Sequence, residues 1–80
     1  MLRLKVISPE KILFDGDVES VTVPGTLGEF EVLENHAPII SSLNDGKMMF
    51  VVPNEGKMEI NIAGGFVEVQ KNEVSLCVEV

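Results

Sequence analysis

The sixteen residues from Val23 to Pro38, VPGTLGEFEVLENHAP, distinguish this chain from an ordinary series of strands. They contain two of its four prolines, two of its seven glycines, three of its thirteen acidic residues and its only histidine. Pro24-Gly25 predicts a turn, because proline presets φ for the first corner and glycine accepts positive φ at the second. Phe30 and Val32 alternate with glutamates and predict a short strand. The asparagine within Glu34 to His36 can adopt the left-handed conformation, so that segment predicts a second corner.

The segments on both sides of this stretch have the pattern of half-buried β-strands. Apolar residues alternate with charged or polar ones near the N-terminus, in the middle and at the C-terminus, for example at Leu2, Leu4 and Val6 and again at Met58, Ile60 and Ile62. Turn-forming residues recur about every 8 to 12 residues, and no window has a helical period. We therefore predict one all-β domain over residues 1–80, an antiparallel β-sandwich of two packed sheets.

Several local expectations follow from the same pattern. Asp15-Gly16-Asp17 predicts a tight hairpin turn, and the break of phase at Glu19-Ser20 predicts a bulge. Lys47 to Val52 is apolar on both faces, which predicts either a strand buried on both sides or one whose outer face meets a partner. Gly64-Gly65 predicts a kink or a close backbone approach, and Lys71-Asn72 predicts a turn of about two residues.

The charge balance argues against nucleic acid and lipid as direct partners. The net charge is −7 and the six basic residues are scattered, so no basic face can neutralise phosphates. The chain has no Trp or Tyr, which removes the stacking platform of single-strand binders. The same charge disfavours anionic lipid, and no apolar run approaches the ~20 residues of a membrane-spanning helix. The lone Cys77 cannot form an internal disulfide and suits a reducing compartment.

His36 is the residue that most suggests chemistry, yet its context favours other roles. A zinc site needs three or four ligands, and one His with one distant Cys does not supply them. A nucleophile–His–Asp arrangement drawn from Ser41 or Ser42, His36 and Asp45 lacks the glycine pattern of a nucleophile elbow. Two interpretations of His36 stay open. It orders the turn before Pro38 through a backbone hydrogen bond, or it lies at a subunit contact.

The glycines and glutamates of the stretch also lack the pattern of a ligand site. No Lys-Ser or Lys-Thr and no helix follows Gly25 to Gly28, as a phosphate loop would require. Glu29, Glu31 and Glu34 lack the dense oxygen spacing of a calcium loop, so we expect them to be solvated or to meet a complementary polar loop. We therefore predict no catalytic residue, no metal and no cofactor.

The same stretch carries a family resemblance. The run Val-Pro-Gly-x-x-Gly-Glu-Phe-x-Val-Leu-x-x-His-Ala-Pro-x-Ile, which begins at Val23 and ends at Ile40, resembles the N-terminal domain of the epsilon subunit of F-type ATP synthases. Val6-Ile7-Ser8-Pro9 upstream is similar to the family's opening strand and turn, and the segment from Gly64 to Val74 is similar to its closing hairpin. The chain departs from many members where it has Glu34-Asn35 in place of Pro-Gly. The family's C-terminal pair of helices has no counterpart within these 80 residues.

The resemblance implies about ten short strands and a non-catalytic rotor role. In that role the sandwich packs on the gamma subunit and rests on the polar loops of the c-ring, so that proton-driven rotation reaches the catalytic head and supports ATP synthesis. Carried over by position, the c-ring contact would lie at Leu27, Glu29 and Phe30. The gamma contact would lie at His36, Pro38 and Ser41. The complex would lie on the cytoplasmic face of a bacterial inner membrane, and this chain would meet the membrane only indirectly.

A free-standing β-sandwich that binds a ligand such as a glycan is the alternative from another class. The absence of Trp and Tyr, the usual sugar-stacking residues, and the free cysteine weigh against it.

Overall fold

Nine β-strands and no helix make up residues 1–80 of the chain in its computed structural model. The strands are β1 (Leu2–Ile7), β2 (Ile12–Val18), β3 (Ser20–Gly25), β4 (Gly28–Val32), β5 (Ile39–Leu43), β6 (Gly46–Val52), β7 (Gly56–Ile62), β8 (Gly64–Gln70) and β9 (Glu73–Glu79). The prediction of an all-β fold is confirmed. The strand number is close to the ten that the resemblance implied.

The strands form one continuous sheet that curls over itself into two facing layers. Its order is β2-β1-β9-β8-β5-β3-β6-β7, and β4 pairs with β3 beside this path. The rings of Phe14 on β2 and Phe50 on β6 meet with centroids 4.6 Å apart, so two strands far apart in the sheet face each other across the core. All the pairs are antiparallel, as expected for an antiparallel sandwich, except β1 with β9, which is parallel. Parallel pairing is possible because the two strands are joined through the rest of the chain and need no tight hairpin.

The core is a single cluster of sixteen buried apolar residues, and it contains no buried polar side chain. Alternation places these residues inward, as β1 illustrates, because Leu2, Leu4 and Val6 are fully buried while Arg3 and Lys5 are exposed. The same period-2 pattern holds in β8 and β9. The face assignments made from alternation are therefore confirmed for these strands.

The turn predicted at Pro24-Gly25 lies two residues further along the chain. Both residues belong to β3, and the hairpin turn is formed by Thr26 and Leu27 between the paired Gly25 and Gly28. The positive φ of 133° belongs to Gly28. A side chain at Gly25 would lie 2.8 Å from the Phe30 ring, so glycine is needed there for close packing and not for its φ.

The hairpin turn predicted at Asp15-Gly16-Asp17 is also wrong, because these residues lie within β2. Their side chains pair with β1 instead, as Arg3 approaches Asp15 at 2.9 Å and Asp17 at 3.8 Å. The cross-strand ion pairs and the backbone ladder thus override the local turn propensity of Asp-Gly. The β1–β2 connection turns earlier, where the Ser8 N–H donates to the Lys11 carbonyl at 2.9 Å.

The bulge predicted at Glu19-Ser20 is a break between two strands. β2 ends at Val18 and β3 begins at Ser20, and the Glu19 N–H donates to the Val51 carbonyl at 2.8 Å. The register shift of this part of the sheet lies between Val6 and Ile7 on β1. The chain therefore passes from one layer to the other at Glu19.

Neither β6 nor β7 is as buried as the sequence suggests. On β6, Met48 and Phe50 are buried while Met49 and Val51 on the other face are only half-buried, so the option of burial on both sides is wrong. β7 lies at the end of the sheet path, and although its Ile62 is buried, Ile60 is half-buried and Met58 is 42% exposed. β7 alternates perfectly in sequence, but it is an edge strand with a neighbour on one side only. Its inward-facing side chains are therefore less well covered than those of a central strand.

This difference predicts unequal losses of stability from truncating two aliphatic side chains of similar size. We expect Leu4→Ala, in fully buried β1, to lower the free energy of unfolding by about 2 to 5 kcal/mol, and Ile60→Ala, on the edge strand, by about 1 to 2 kcal/mol. Urea denaturation of both variants measures the difference. Equal losses would mean that Ile60 is as well packed as the central strands.

The close backbone approach predicted at Gly64-Gly65 is confirmed and generates a second prediction. Gly65 has a φ of 145°, and a Cβ there would collide with the Cys77 carbonyl oxygen on β9. We expect Gly65→Ala to cost at least about 3 kcal/mol, because strained φ and backbone collision add. Gly56→Ala is the matched control, since its φ is 92° but nothing lies within 4 Å, and it should cost about 1 to 2 kcal/mol. Denaturation midpoints that rank the two variants the other way would contradict the β8–β9 packing.

Candidate functional site

The β3–β4 hairpin carries the most exposed apolar side chain of the chain at its tip. Leu27 is fully exposed and Glu29 is exposed beside it. The tip is anchored from behind, because the Thr26 N–H donates to the Ser42 carbonyl at 3.0 Å and the Asn44 N–H donates to the Pro24 carbonyl at 2.9 Å. The hairpin is thus a fixed projection with an apolar end and an acidic flank.

Phe30 belongs to the base of this hairpin. Its ring is half-buried, lies against Gly25 and packs on the core cluster. Of the three residues predicted at the tip, Leu27 and Glu29 are therefore presented to solvent, whereas Phe30 also supports the hairpin.

The second predicted contact region is the corner between β4 and β5. Asn35 has a φ of 66°, which confirms the predicted left-handed corner. The His36 N–H donates to the Leu33 carbonyl at 3.1 Å, and the His36 Nδ1 lies 2.7 Å from the Ala37 carbonyl oxygen. Because a carbonyl can only accept, Nδ1 carries the proton. The predicted structural role of His36 is confirmed by this bond, and Pro38 is exposed next to it.

Ser41 differs from the other two residues predicted to contact gamma. It lies on β5, where it pairs with Val67 of β8, and its side chain is half-buried on the core-facing side. Its hydroxyl donates to the Ser42 carbonyl at 3.0 Å. His36 and Pro38 are together in the loop, and Ser41 lies within the following strand. The exposed face of β5 is formed by Ile40 and Ser42.

An apolar patch on the outer face of the sheet was missed by the sequence analysis. Strand register aligns Ile12, Ile7, Cys77 and Phe66 in one row across β2, β1, β9 and β8, and Ile40 on β5 lies diagonal to Phe66. Ile12 is 57%, Phe66 51% and Ile40 73% exposed. We call these five residues the outer patch. An open groove of ≈ 370 Å³ beside it is lined by Ile7, Phe66, Cys77 and the Ser8-Pro9 turn.

Doublets of apolar residues are the sequence signal that could have revealed this patch. Ile39-Ile40 and Phe66-Val67 each break the alternation, so one member of each pair must face outward. The other three members require the strand register, because Ile7, Ile12 and Cys77 come together only through pairing of strands remote in the sequence.

The hairpin tip and the corner lie at opposite ends of one strand. β4 has five residues and therefore spans about 17 Å between them. β5 then returns from the corner to the tip, where Leu43 pairs with Gly25. The two predicted contact regions are thus held apart by hydrogen-bonded strands.

The structure offers no arrangement for the chemistry considered above. No group of three or more His, Cys, Asp or Glu side chains is placed to hold a metal ion. The hydroxyl of Ser41 and the ring of His36 bond to backbone carbonyls and not to each other. The chain has no helix, and therefore no helical segment that could span a bilayer.

A rigid two-layer sandwich with an exposed loop at each end and an apolar outer face is typical of protein-interaction domains. The sequence model of one protein family, described as the ATP synthase delta/epsilon chain β-sandwich domain, matches residues 1–80. The chain is 45% identical to the ATP synthase epsilon chain of Leptospira borgpetersenii over 94% of its own length and 58% of that relative. It is 38% identical to the epsilon chain of Chlorobaculum tepidum over 95% of its own length and 86% of that relative. The chain belongs to the family of ATP synthase delta/epsilon β-sandwich domains.

Solved structures share the fold. A chain of the Euglena gracilis mitochondrial ATP synthase superposes with a TM-score of 0.90 at 22% identity, covering 96% of this chain and 49% of that one. A chain of the Tetrahymena thermophila mitochondrial ATP synthase central stalk and c-ring superposes with a TM-score of 0.82 at 17% identity, covering 99% and 63%. This chain thus spans somewhat more than half the length of the Leptospira relative and about half of the Euglena chain.

The geometry of the hairpin predicts that its two apolar residues have separable roles. Leu27→Ala should change the free energy of unfolding by less than about 0.5 kcal/mol, because the side chain is fully exposed. Phe30→Ala should lower it by about 1 to 3 kcal/mol, because the ring packs on Gly25 and the core. Thermal or urea unfolding of the two variants tests this. An unchanged free energy of unfolding with Phe30→Ala would mean that the ring does not pack on the core.

Proposed function

We propose that this chain is a non-catalytic central-stalk subunit of a proton-translocating F-type ATP synthase, which links the gamma subunit to the c-ring. The observation that carries the proposal is the separation of the hairpin tip from the loop of His36 and Pro38 by one rigid strand, β4. A subunit that transmits torque between two partners needs such a fixed spacing, because a flexible connection would absorb the rotation. Family membership supports the proposal.

We propose that gamma docks on the outer patch together with the loop of His36 and Pro38. Ile40 connects the two, since it follows that loop directly and lies in the patch. Exposed apolar patches of this kind are typical of protein interfaces and are costly to leave in water. The proposed gamma contact continues along β5 as far as Ser41.

The c-ring contact is proposed at the hairpin tip. Leu27 supplies an apolar anchor, and Glu29 supplies charge suited to a polar loop of the ring, with Phe30 holding the hairpin from behind. The chain would lie on the cytoplasmic face of a bacterial inner membrane, and the relatives described above are bacterial. Its net charge of −7 favours indirect contact with the membrane through the ring over direct adhesion to anionic lipid.

The proposal predicts that the two contact regions fail independently. Phe66→Ser with Ile40→Ser should abolish co-purification with gamma. Leu27→Ala with Glu29→Ala should preserve gamma binding and weaken retention on the c-ring, because neither residue belongs to the outer patch or to the loop of His36 and Pro38. The assay is affinity purification of the tagged chain from membranes, followed by quantification of gamma and c.

Met58→Ser is the matched control, because Met58 is an exposed apolar residue on edge strand β7, outside both regions. It should leave both partners bound. Loss of gamma with Met58→Ser but not with the patch variant would refute the proposed docking face. A wild-type chain that emerges from cells with neither partner would favour the free-standing ligand-binding module.

A further inference from the structure

Three segments remote in the sequence meet at the end of the sandwich opposite the hairpin tip. They are the N-terminus, the corner at Glu34-Asn35 and the β8–β9 turn at Lys71-Asn72. The N-terminal ammonium lies 2.8 Å from the Glu34 carboxylate, and the Arg3 N–H donates to the Asn72 carbonyl at 2.9 Å. The corner that carries His36 and Pro38 is thus attached to neighbours outside its own strand.

The central attachment is a reciprocal pair between two asparagines. The Asn35 N–H donates to Asn72 Oδ1 at 2.6 Å, and Asn72 Nδ2 donates to Asn35 Oδ1 at 3.3 Å. The two residues are 37 positions apart, and both are left-handed, with φ of 66° and 61°. Glycine would satisfy that φ equally well, so the conformation alone does not account for asparagine. What the side chains add is the amide pair.

The loop after the corner has few other constraints. Between Leu33 and Ile39, the only backbone–backbone hydrogen bond outside the strand ladder runs from His36 to the Leu33 carbonyl. The remaining ties are the His36 ring bond to the adjacent Ala37 and the ammonium contact of Glu34. Asn72, by contrast, belongs to a two-residue turn between strands that are paired along their whole length. The asparagine pair therefore connects a loosely held loop to a rigid hairpin.

We infer that the Asn35–Asn72 pair is a positioning device that holds the loop of His36 and Pro38 in its binding-competent conformation. This inference rests on the proposed gamma contact at that loop. A loop ordered before binding loses less conformational freedom in the complex. If the competent fraction falls to between about 0.1 and 0.2 without the pair, the apparent affinity falls about five- to tenfold.

Breaking the Asn35–Asn72 pair should change the free energy of unfolding of the domain only slightly. Asn35 is exposed and Asn72 is half-buried, so water replaces the lost bonds when the pair is broken. The pair orders one loop and does not contribute to the core. A positioning role and a purely structural role therefore make different predictions.

The test compares Asn72→Gly with Asn54→Gly in the full chain. Glycine removes the amide and retains the left-handed turn, so the fold is preserved. Asn54 is the matched control, because it is a turn asparagine with a φ of 67° and no side-chain hydrogen bond. Asn72→Asp retains an acceptor for the Asn35 N–H and tolerates the same φ.

Two measurements are made on each variant, and urea denaturation of the same variants controls for a change in global stability. Amide hydrogen exchange reports the protection of the Asn35 N–H, and titration of the purified gamma-containing complex depleted of this chain reports affinity. We expect Asn72→Gly to accelerate exchange at Asn35 at least tenfold and to weaken binding five- to tenfold, with an almost unchanged urea midpoint. Asn54→Gly should change neither measurement, and Asn72→Asp should restore most of the protection.

The outcomes separate this inference from the proposed function. Unchanged exchange in Asn72→Gly, or faster exchange with unchanged affinity, overturns the positioning role even if gamma binds. Equal weakening by Asn54→Gly overturns it as well. If the wild-type chain does not bind the gamma-containing complex, the proposed function fails and so does positioning for binding. The exchange data then report only whether the pair orders the loop.

Discussion

Parallel pairing of the first and last strands holds this sandwich closed. β1 brings β2 to one side and β9 brings β8 to the other, so this one ladder joins two parts of the sheet. Its inward-facing residues, Leu4 beside Val74 and Val6 beside Leu76, are all buried in the common core. The ladder joins residues about 70 positions apart. Closing so long a loop costs more conformational entropy than closing a hairpin. The buried side chains on this ladder supply the apolar contacts that offset that cost.

Closure determines which surfaces are free for partners. A small domain buries only about 60% of the surface that its unfolded chain exposes, and here the whole apolar core lies between the two layers. The outer faces carry no stability requirement of their own, so charged residues can occupy most of them. The outer patch departs from that rule at the rows containing Phe66 and Ile40. An apolar cluster that contributes nothing to the core is best explained by a partner that covers it, which supports the proposed docking of gamma.

Alternation predicted the fold class and the inner faces well, because a period of two is imposed by the strand itself. Local turn propensities predicted less. Asp15-Gly16-Asp17 has the sequence of a hairpin turn, yet pairing with Arg3 keeps it within a strand. Pro24-Gly25 resembles a turn, yet the glycine is required by the Phe30 ring. In each case the deciding contact comes from another part of the chain, and no window around the motif contains it.

The corner at Glu34-Asn35 is likewise determined by contacts with remote parts of the chain, and these contacts affect the proposed gamma loop. The resemblance noted in the sequence analysis implies Pro-Gly at these positions in many members, and a proline ring would fix its own φ covalently. This chain lacks that restraint, so order at the corner must come from bonds to other segments. Asn72 and the N-terminal ammonium supply them across 37 and 33 positions of sequence. A covalent restraint acts whether or not the rest of the domain is folded, whereas the bonds to Asn72 require that β5 has paired with β8, and the bond to the ammonium requires that β1 has paired with β9. The geometry of the proposed gamma loop in this chain therefore depends on two long-range pairings, β5 with β8 and the β1–β9 ladder that closes the sandwich.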